Sequence, residues 1–229
     1  MKRGNKKWRF AGVLALCALL LSGCRFGGGG HDENDVAVRL INGVPNAPEL
    51  SVAVDGQRVW RHSVYRNNTG YQTVPAGTYD VNVASGGVPI LAYKPLAFEK
   101  GQAYTVLALG LLRGGETPAE VRVFADDAGE RVPSDKARLH FINAAPGMGS
   151  ADVLVNNIVG LKEVEFGRRS EAILLQDGAY DIKVNVADSV ETLIGPVNVR
   201  LEPGHSYTLV AMGQPSTHSL TLEAYPDRY

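Results

Sequence analysis

The sequence predicts an all-β chain: two tandem antiparallel β-sandwich domains, Ig-like or transthyretin-like, after a lipoprotein signal and a Gly-rich tether. Two observations predict this class. Apolar residues alternate with polar ones in short runs at intervals of roughly 8–12 residues, with turn formers between them. The same series of runs then occurs a second time along the chain. Beyond the signal, no stretch keeps a helical apolar period for three turns.

The chain opens with a basic segment, Lys2, Arg3, Lys6, Lys7 and Arg9, followed by the apolar run AGVLALCALLL (Ala11–Leu21). That run is too short for a membrane span, which needs about 20 residues, but it suits the core of a secretory signal. It closes in LSGC (Leu21–Cys24), which resembles a bacterial lipobox: a branched apolar residue, two small residues and Cys. The resemblance implies cleavage before Cys24, lipidation of Cys24 and anchoring of the exported chain at a membrane. Arg25, rather than Asp, at the next position implies outer-membrane sorting in a Gram-negative cell, on the periplasmic face or the surface. Residues 1–23 are then the signal peptide and 24–35 a flexible tether. The consecutive glycines Gly27–Gly30 bury no side chain, and the reach from Cys24 to Val36 is about 20 Å. His31, Asp32, Glu33 and Asp35 read as solvated spacer rather than a cation site, because nothing fixes a ligand geometry.

The whole chain carries 23 basic and 24 acidic residues; without the five basic residues of the signal, 18 stand against 24, a net of −6. A mildly acidic body argues against nucleic acid as a partner, which would call for a basic stripe. Cys17 leaves with the signal and Cys24 is expected to be acylated. The body is left without disulfide, thiolate metal site or Cys nucleophile.

The duplication is explicit. VRLINGVP (Val38–Pro45) matches LHFINAAP (Leu139–Pro146), and SVAVDG (Ser51–Gly56) lies on DVLVNN (Asp152–Asn157). VPAGTYDVNV (Val74–Val83) matches LLQDGAYDIKV (Leu174–Val184), sharing Gly, Tyr, Asp and Val; all these pairs lie 101 residues apart. A two-residue insertion then moves the offset to 103, where FEKGQAYTVLALG (Phe98–Gly110) matches LEPGHSYTLVAMG (Leu201–Gly213). One more strand-like stretch closes each copy, EVRVFAD (Glu120–Asp126) and SLTLEAY (Ser219–Tyr225). Short period-2 strands separated by DG, PAG, SGG and KG turns give an antiparallel sandwich in residues 36–128 and another in 136–229. The charged segment Asp126–Ala137 between them reads as a hinge, with the two domains following in line.

The repeat unit, with its INGVPNAPELSVAVDG opening, VPAGTYDVNV middle and FEKGQAYTVLALG close, resembles the bacterial domain of unknown function 4397. The resemblance implies a β-sandwich-like fold and an exported or surface protein. It brings no catalytic residues. In the second copy, APGMGSADVLVNN departs from the pattern, lacking the second Pro and the Asp-Gly turn.

Candidate chemistry is sparse. Gly77 and Gly178 supply permissive backbone before Tyr79 and Tyr180, which enter a strand at its start and fit a tyrosine corner, the ring inward and the hydroxyl on a nearby backbone group. Tyr104 and Tyr207 fit a similar role. Of the histidines, His140 takes the place of Arg39 and His205 that of Gln102; polar residues that differ between copies suggest exposed positions. No GxSxG or HExxH motif occurs. The acidic stretches DDAGE (Asp126–Glu130) and VDG (Val54–Gly56) read as turns, since a Ca²⁺ loop needs about six oxygens at fixed spacing.

The aromatics that do not repeat are the best ligand signal. Trp60 and Tyr71, in VWRHSVYRNNTGY (Val59–Tyr71), have no aromatic counterpart in Gly160–Ala172, whereas Tyr65 is matched by Phe166 and reads as core. Trp60 and Tyr71 are therefore the candidate glycan-stacking residues. The expected function is a non-catalytic, lipid-anchored cell-envelope lipoprotein acting as a structural or partner-binding module, its partner an envelope protein or polysaccharide. The alternative is a carbohydrate- or cell-wall-binding module using the aromatics of the first domain. Neither reading calls for a metal or cofactor.

Overall fold

The computed structural model describes residues 35–126 and 131–228. The expected signal peptide, the lipidated Cys24 and all of the tether but Asp35 lie outside the described residues. The first copy contributes β1 (Asp35–Asn42), β2 (Leu50–Val54), β3 (Gln57–Ser63), β4 (Gln72–Pro75), β5 (Gly77–Ser85), β6 (Val88–Phe98), β7 (Ala103–Leu109) and β8 (Glu120–Asp126). The second contributes β9 (Lys136–Asn143), β10 (Ala151–Val155), β11 (Ile158–Val164), β12 (Ile173–Gln176), β13 (Gly178–Val186), β14 (Thr192–Leu201), β15 (Ser206–Met212) and β16 (Thr221–Pro226). A 3₁₀ turn at Pro215–Thr217 precedes the last strand. Among the described residues, no helix is long and apolar enough to cross a membrane.

Both copies have the same topology. Four-stranded sheets of order β4-β1-β7-β8 and β3-β2-β5-β6 form the first sandwich; β12-β9-β15-β16 and β11-β10-β13-β14 form the second. The sandwiches are not purely antiparallel, as the sequence suggested: β1 pairs with β7, and β9 with β15, in parallel. Between β1 and β7 the chain crosses to the other sheet for β2 and β3, returns for β4 and crosses again for β5 and β6, so the parallel pair is joined by a crossover that a hairpin cannot provide. Register also corrects the closing repeat. Glu120 pairs with Leu109 and Thr221 with Met212, so Glu120–Asp126 is equivalent to Thr221–Asp227, two residues on from the match that sequence suggests.

The turns explain the weaker second-copy match. Asp55 and Gly56 have φ of 48° and 77°, and Asn156 and Asn157 have 49° and 67°, the left-handed pair of a two-residue hairpin that Gly, Asn and Asp tolerate best. The Asp55 side chain accepts the Asp80 amide at 2.8 Å and the Asn156 side chain accepts that of Asp181 at 3.0 Å. The VDG carboxylate is thus committed to a turn.

Each copy has its own core between its two sheets, around Leu40, Val52, Val83 and Val106 in the first and Phe141, Val153, Val184 and Leu209 in the second. A third apolar cluster draws on both. Ile41, Leu107, Leu109, Tyr65 and Phe124 from the first copy pack with Ile142, Val210, Met212, Phe166 and Tyr225 from the second. These are equivalent residues, so each copy presents the same face and the contact is isologous. The copies therefore do not follow one another in line; their inner sheets meet face to face and the fold is a four-layer stack. This is why β7 and β15 are buried at every position, and β1 and β9 at all but the first: one side faces a core and the other the seam.

Candidate binding groove

Of the polar residues that differ between copies, Gln102 and His205 are half-buried, but Arg39 and His140 are buried, contrary to the exposure their variability suggested. Arg39 on β1 is fully buried at the seam and His140 on β9 is 4% exposed. The Arg39 guanidinium donates to Thr105 Oγ1 and the Pro226 carbonyl, both at 2.8 Å, and pairs with Asp227 Oδ1 at 2.5 Å. Thr105 Oγ1 in turn lies 2.9 and 3.0 Å from the two carboxylate oxygens of Asp126. The second copy repeats this last element: Thr208 Oγ1 lies 2.9 and 3.0 Å from the oxygens of Asp227, which Ser206 also reaches at 3.0 Å. Asp126 is thus not part of an acidic turn but the buried end of β8. Burial, with help from Asp227, pushes its carboxyl above the usual range against the opposing pull of Arg39, Tyr71 and Thr105. In the reverse direction, Arg169 of the second copy donates to the Ala125 carbonyl at 2.7 Å and comes within 4.0 Å of Asp126. Arg66 of the first copy also pairs with Glu223 on β16, so the copies exchange arginines with each other's last strands from non-equivalent positions.

Tyr71 belongs to this network, which corrects its assignment as a stacking residue. Its hydroxyl donates to Asp126 Oδ2 at 2.6 Å and its ring lies 4.7 Å from the Arg39 guanidinium. Burial raises the phenol's pKa well beyond its ordinary value. Trp60 is corrected more sharply: it is 6% exposed and packs in the first core. Two bulges in β3 are the reason. Val52 pairs with Trp60 and Ala53 with Arg58, while Arg61 and His62 together span the place opposite Ser51. Each bulge resets the alternation, turning the indole inward and leaving Arg58, Arg61 and His62 outside.

Tyr79 and Tyr180 pack against their cores and donate to carbonyls four residues back, Pro75 at 2.7 Å and Gln176 at 2.8 Å. Gly178 has a φ of 146°, whereas Gly77 is not at positive φ; a Cβ there would sit 3.5 Å from the Tyr79 ring. The hydroxyls of Tyr104 and Tyr207 accept the amides of Glu99 and Glu202 at 3.0 and 3.1 Å.

What remains is a surface no sequence motif marked. On the outer face of β3-β2-β5-β6 lies an open groove of about 510 Å³. Its floor is small: Ser51 and Ala53 from β2, Asn82 and Ala84 from β5. Arg58, Arg61 and His62 of β3 form one wall, and Glu49 and the Gly86–Gly87 turn close the ends. His62 Nδ1 lies 2.7 Å from Glu49 Oε2, with both side chains largely in solvent. Ser51 shares the groove, but its hydroxyl donates to the Ala84 carbonyl at 3.4 Å rather than to His62. Arg58 and Arg61 are exposed, and among the described residues neither has a hydrogen-bond or ion-pair partner. Among those residues, no cluster of three or more His, Cys, Asp or Glu could hold a metal.

The second copy closes the same place with its own side chains. Asp152 replaces Ser51; it is 4% exposed and accepts the amides of Glu163 at 2.8 Å and Asp188 at 3.1 Å. Asn185 replaces Ala84 and bonds Ser189 and Thr192, and Leu154 replaces Ala53. The two-residue insertion falls here: Ala187–Val190 stands where the first copy has Gly86–Gly87, and Asp152 ties that longer turn to the sheet. The signal that could have found the groove was this insertion together with the small residues opposite it.

Comparison with known proteins identifies the fold unit. Among solved structures, the chain is similar to CBMbc, a family 26 carbohydrate-binding module from Eubacterium rectale Amy13K in complex with maltoheptaose, at 12% identity and TM-score 0.24, covering 85% of this chain and 98% of that one. It is also similar to a leucine-rich repeat protein from Bacteroides thetaiotaomicron at 15% identity and TM-score 0.19, covering 79% of this chain and 26% of that one. At these scores neither is a guide to what this chain binds. No curated protein matches significantly. The family model described as Domain of unknown function matches twice, over residues 36–153 and 137–228. The chain belongs to that family, DUF4397, and carries two copies of its domain.

Proposed function

We propose that this chain is a non-catalytic binding module of the cell envelope, exported and held at a membrane through lipidated Cys24. It engages its partner with the groove of the first copy. The observation that carries the reading is the asymmetry of the outer sheets. Two copies share topology, register and bulges, yet where Asp152 and Asn185 fill the second copy's face the first leaves a groove bordered by Arg58 and Arg61, at a volume within the ~300–1,000 Å³ typical of ligand sites. A fold kept only for its architecture has no need of that difference. The His62–Glu49 pair fits a binding role, since the one nearby hydroxyl, that of Ser51, is turned away from it.

The test is to close the groove with the second copy's own residues, Ser51→Asp with Ala84→Asn, in the full-length protein. Binding to isolated envelope material, measured by co-sedimentation, is expected to be lost while the melting temperature holds. Undiminished binding would rule out the groove. For the anchor, Cys24→Ser is expected to move the protein from the membrane fraction to the soluble fraction; retention at the membrane would refute the lipidation.

A further inference from the structure

Resting on the groove reading, we infer that the ligand is an anionic polysaccharide whose carboxylates are held by Arg58 and Arg61. Charge comes first. The body of the chain is net acidic, yet one wall of the groove carries two arginines without partners among the described residues, and its lining carboxylate, Glu49, is engaged by His62. A guanidinium presents a rigid fork of donors that matches a carboxylate in two-point fashion.

Spacing comes next. Arg58 and Arg61 are three residues apart in sequence, but the bulge between them sets them opposite Ala53 and Ser51, two residues apart on β2 and about 7 Å at ~3.3 Å per residue. Spread along one wall of an open groove, the two forks can each take one carboxylate of a ligand that carries its charges at intervals along a chain.

The floor then selects among polyanions. β2 and β5 are each paired on both sides, and the free edge beside the groove, that of β3, belongs to a strand broken by two bulges, so an acidic peptide lying on the floor gains no main-chain pairing there. Among the described residues no Trp, Tyr or Phe lines the groove, Trp60 being turned into the core, so none of these offers a platform for stacking nucleic-acid bases. What the floor does offer is the Ser51 hydroxyl and the Asn82 amide, which suit sugar hydroxyls, beside Ala53 and Ala84, which leave room for a ring.

The experiment is titration of the full-length protein in detergent micelles with polygalacturonate, which bears one carboxylate per sugar, against dextran, polyglutamate and single-stranded DNA. Polygalacturonate is expected to bind best and to weaken as salt rises. Arg58→Ala and Arg61→Ala are each expected to weaken it about tenfold, and Lys at either position to restore it only in part. Both arginines are exposed and unpaired, so the variants should fold, which a thermal melt checks. Equal binding to polyglutamate or DNA, or arginine variants that bind as wild type, overturns the inference. Dextran binding that the closed-groove variant abolishes would overturn the charge assignment and leave the groove standing. So would binding to envelope material that depends on the groove while all four probes fail. If closing the groove changes nothing with any ligand, the groove reading itself falls.

Discussion

The two outer sheets were built from one plan and have diverged at a few positions. In β3-β2-β5-β6 the face between the turns is floored with Ser and Ala and bordered by Gly86–Gly87; in β11-β10-β13-β14 Asp152, Leu154 and Asn185 occupy the same face under a longer turn. The difference shows that a duplicated sandwich can spend one surface on closure and leave the other open. The inner sheets show the converse. They share an apolar seam of equivalent residues, yet the arginines reaching across it are the fully buried Arg39 and the exposed Arg66 from the first copy and the half-buried Arg169, from another position, from the second.

The largest expected effect tests the inner comparison. Arg39→Ala leaves Asp227 as a buried carboxylate without its cation and should cost about 3–5 kcal/mol, read by urea denaturation. A loss under about 1 kcal/mol would mean that Ser206 and Thr208 suffice to hold that charge. Next, Asp152→Ser gives the second copy the first copy's residue. It removes the acceptor for two amides, should cost about 1–3 kcal/mol, and should speed hydrogen exchange in 187–191. Unchanged exchange there would show that the longer turn holds itself.

Smaller effects test whether shared elements do equal work. Tyr79→Phe and Tyr180→Phe each delete one hydroxyl-to-carbonyl bond and should each cost about 0.5–1.5 kcal/mol, the two alike. The smallest effect is a pH dependence. The Asp126 carboxyl titrates above its ordinary value of 3.8 when folded, so the folded state holds the proton more tightly than the unfolded chain. Its contribution to stability is therefore greatest in acid, declines as pH rises from about 3.8 through the folded value, and is flat beyond. Asp126→Asn should abolish that decline, so the gap between wild type and variant shifts in the variant's favour as pH rises through this window. A gap independent of pH would remove Asp126 from the titration.

Much of the fold was legible because strand alternation and turn residues are local. The repeated Gly-x-Tyr-Asp and the Asp-Gly or Asn-Asn hairpins stand in the sequence at fixed offsets. The seam was written there too, in the unbroken runs YTVLAL and YTLVAM, which mark strands buried on both faces rather than one. Arg39 and His140 misled because a polar residue facing another sheet looks, in sequence, like one facing water. Trp60 misled because its orientation depends on bulges in β3, and a bulge leaves no mark in the alternation it interrupts. The groove could not be read from a motif at all, since its defining feature is the small size of residues that elsewhere would pass unnoticed.

The isologous seam has a thermodynamic consequence. Tandem sandwiches joined only by a linker melt independently, each at its own temperature. Here the unfolding of either copy would strip the cover from Ile41, Leu107 and Leu109, or from Ile142, Val210 and Met212, and leave a buried charge without its counter-ion. The linkage supplies the second face at a fixed, high effective concentration, so the copies stabilise one another at any dilution. Heating should therefore give a single calorimetric transition whose enthalpy corresponds to the whole body, the behaviour of a dimer that cannot dissociate.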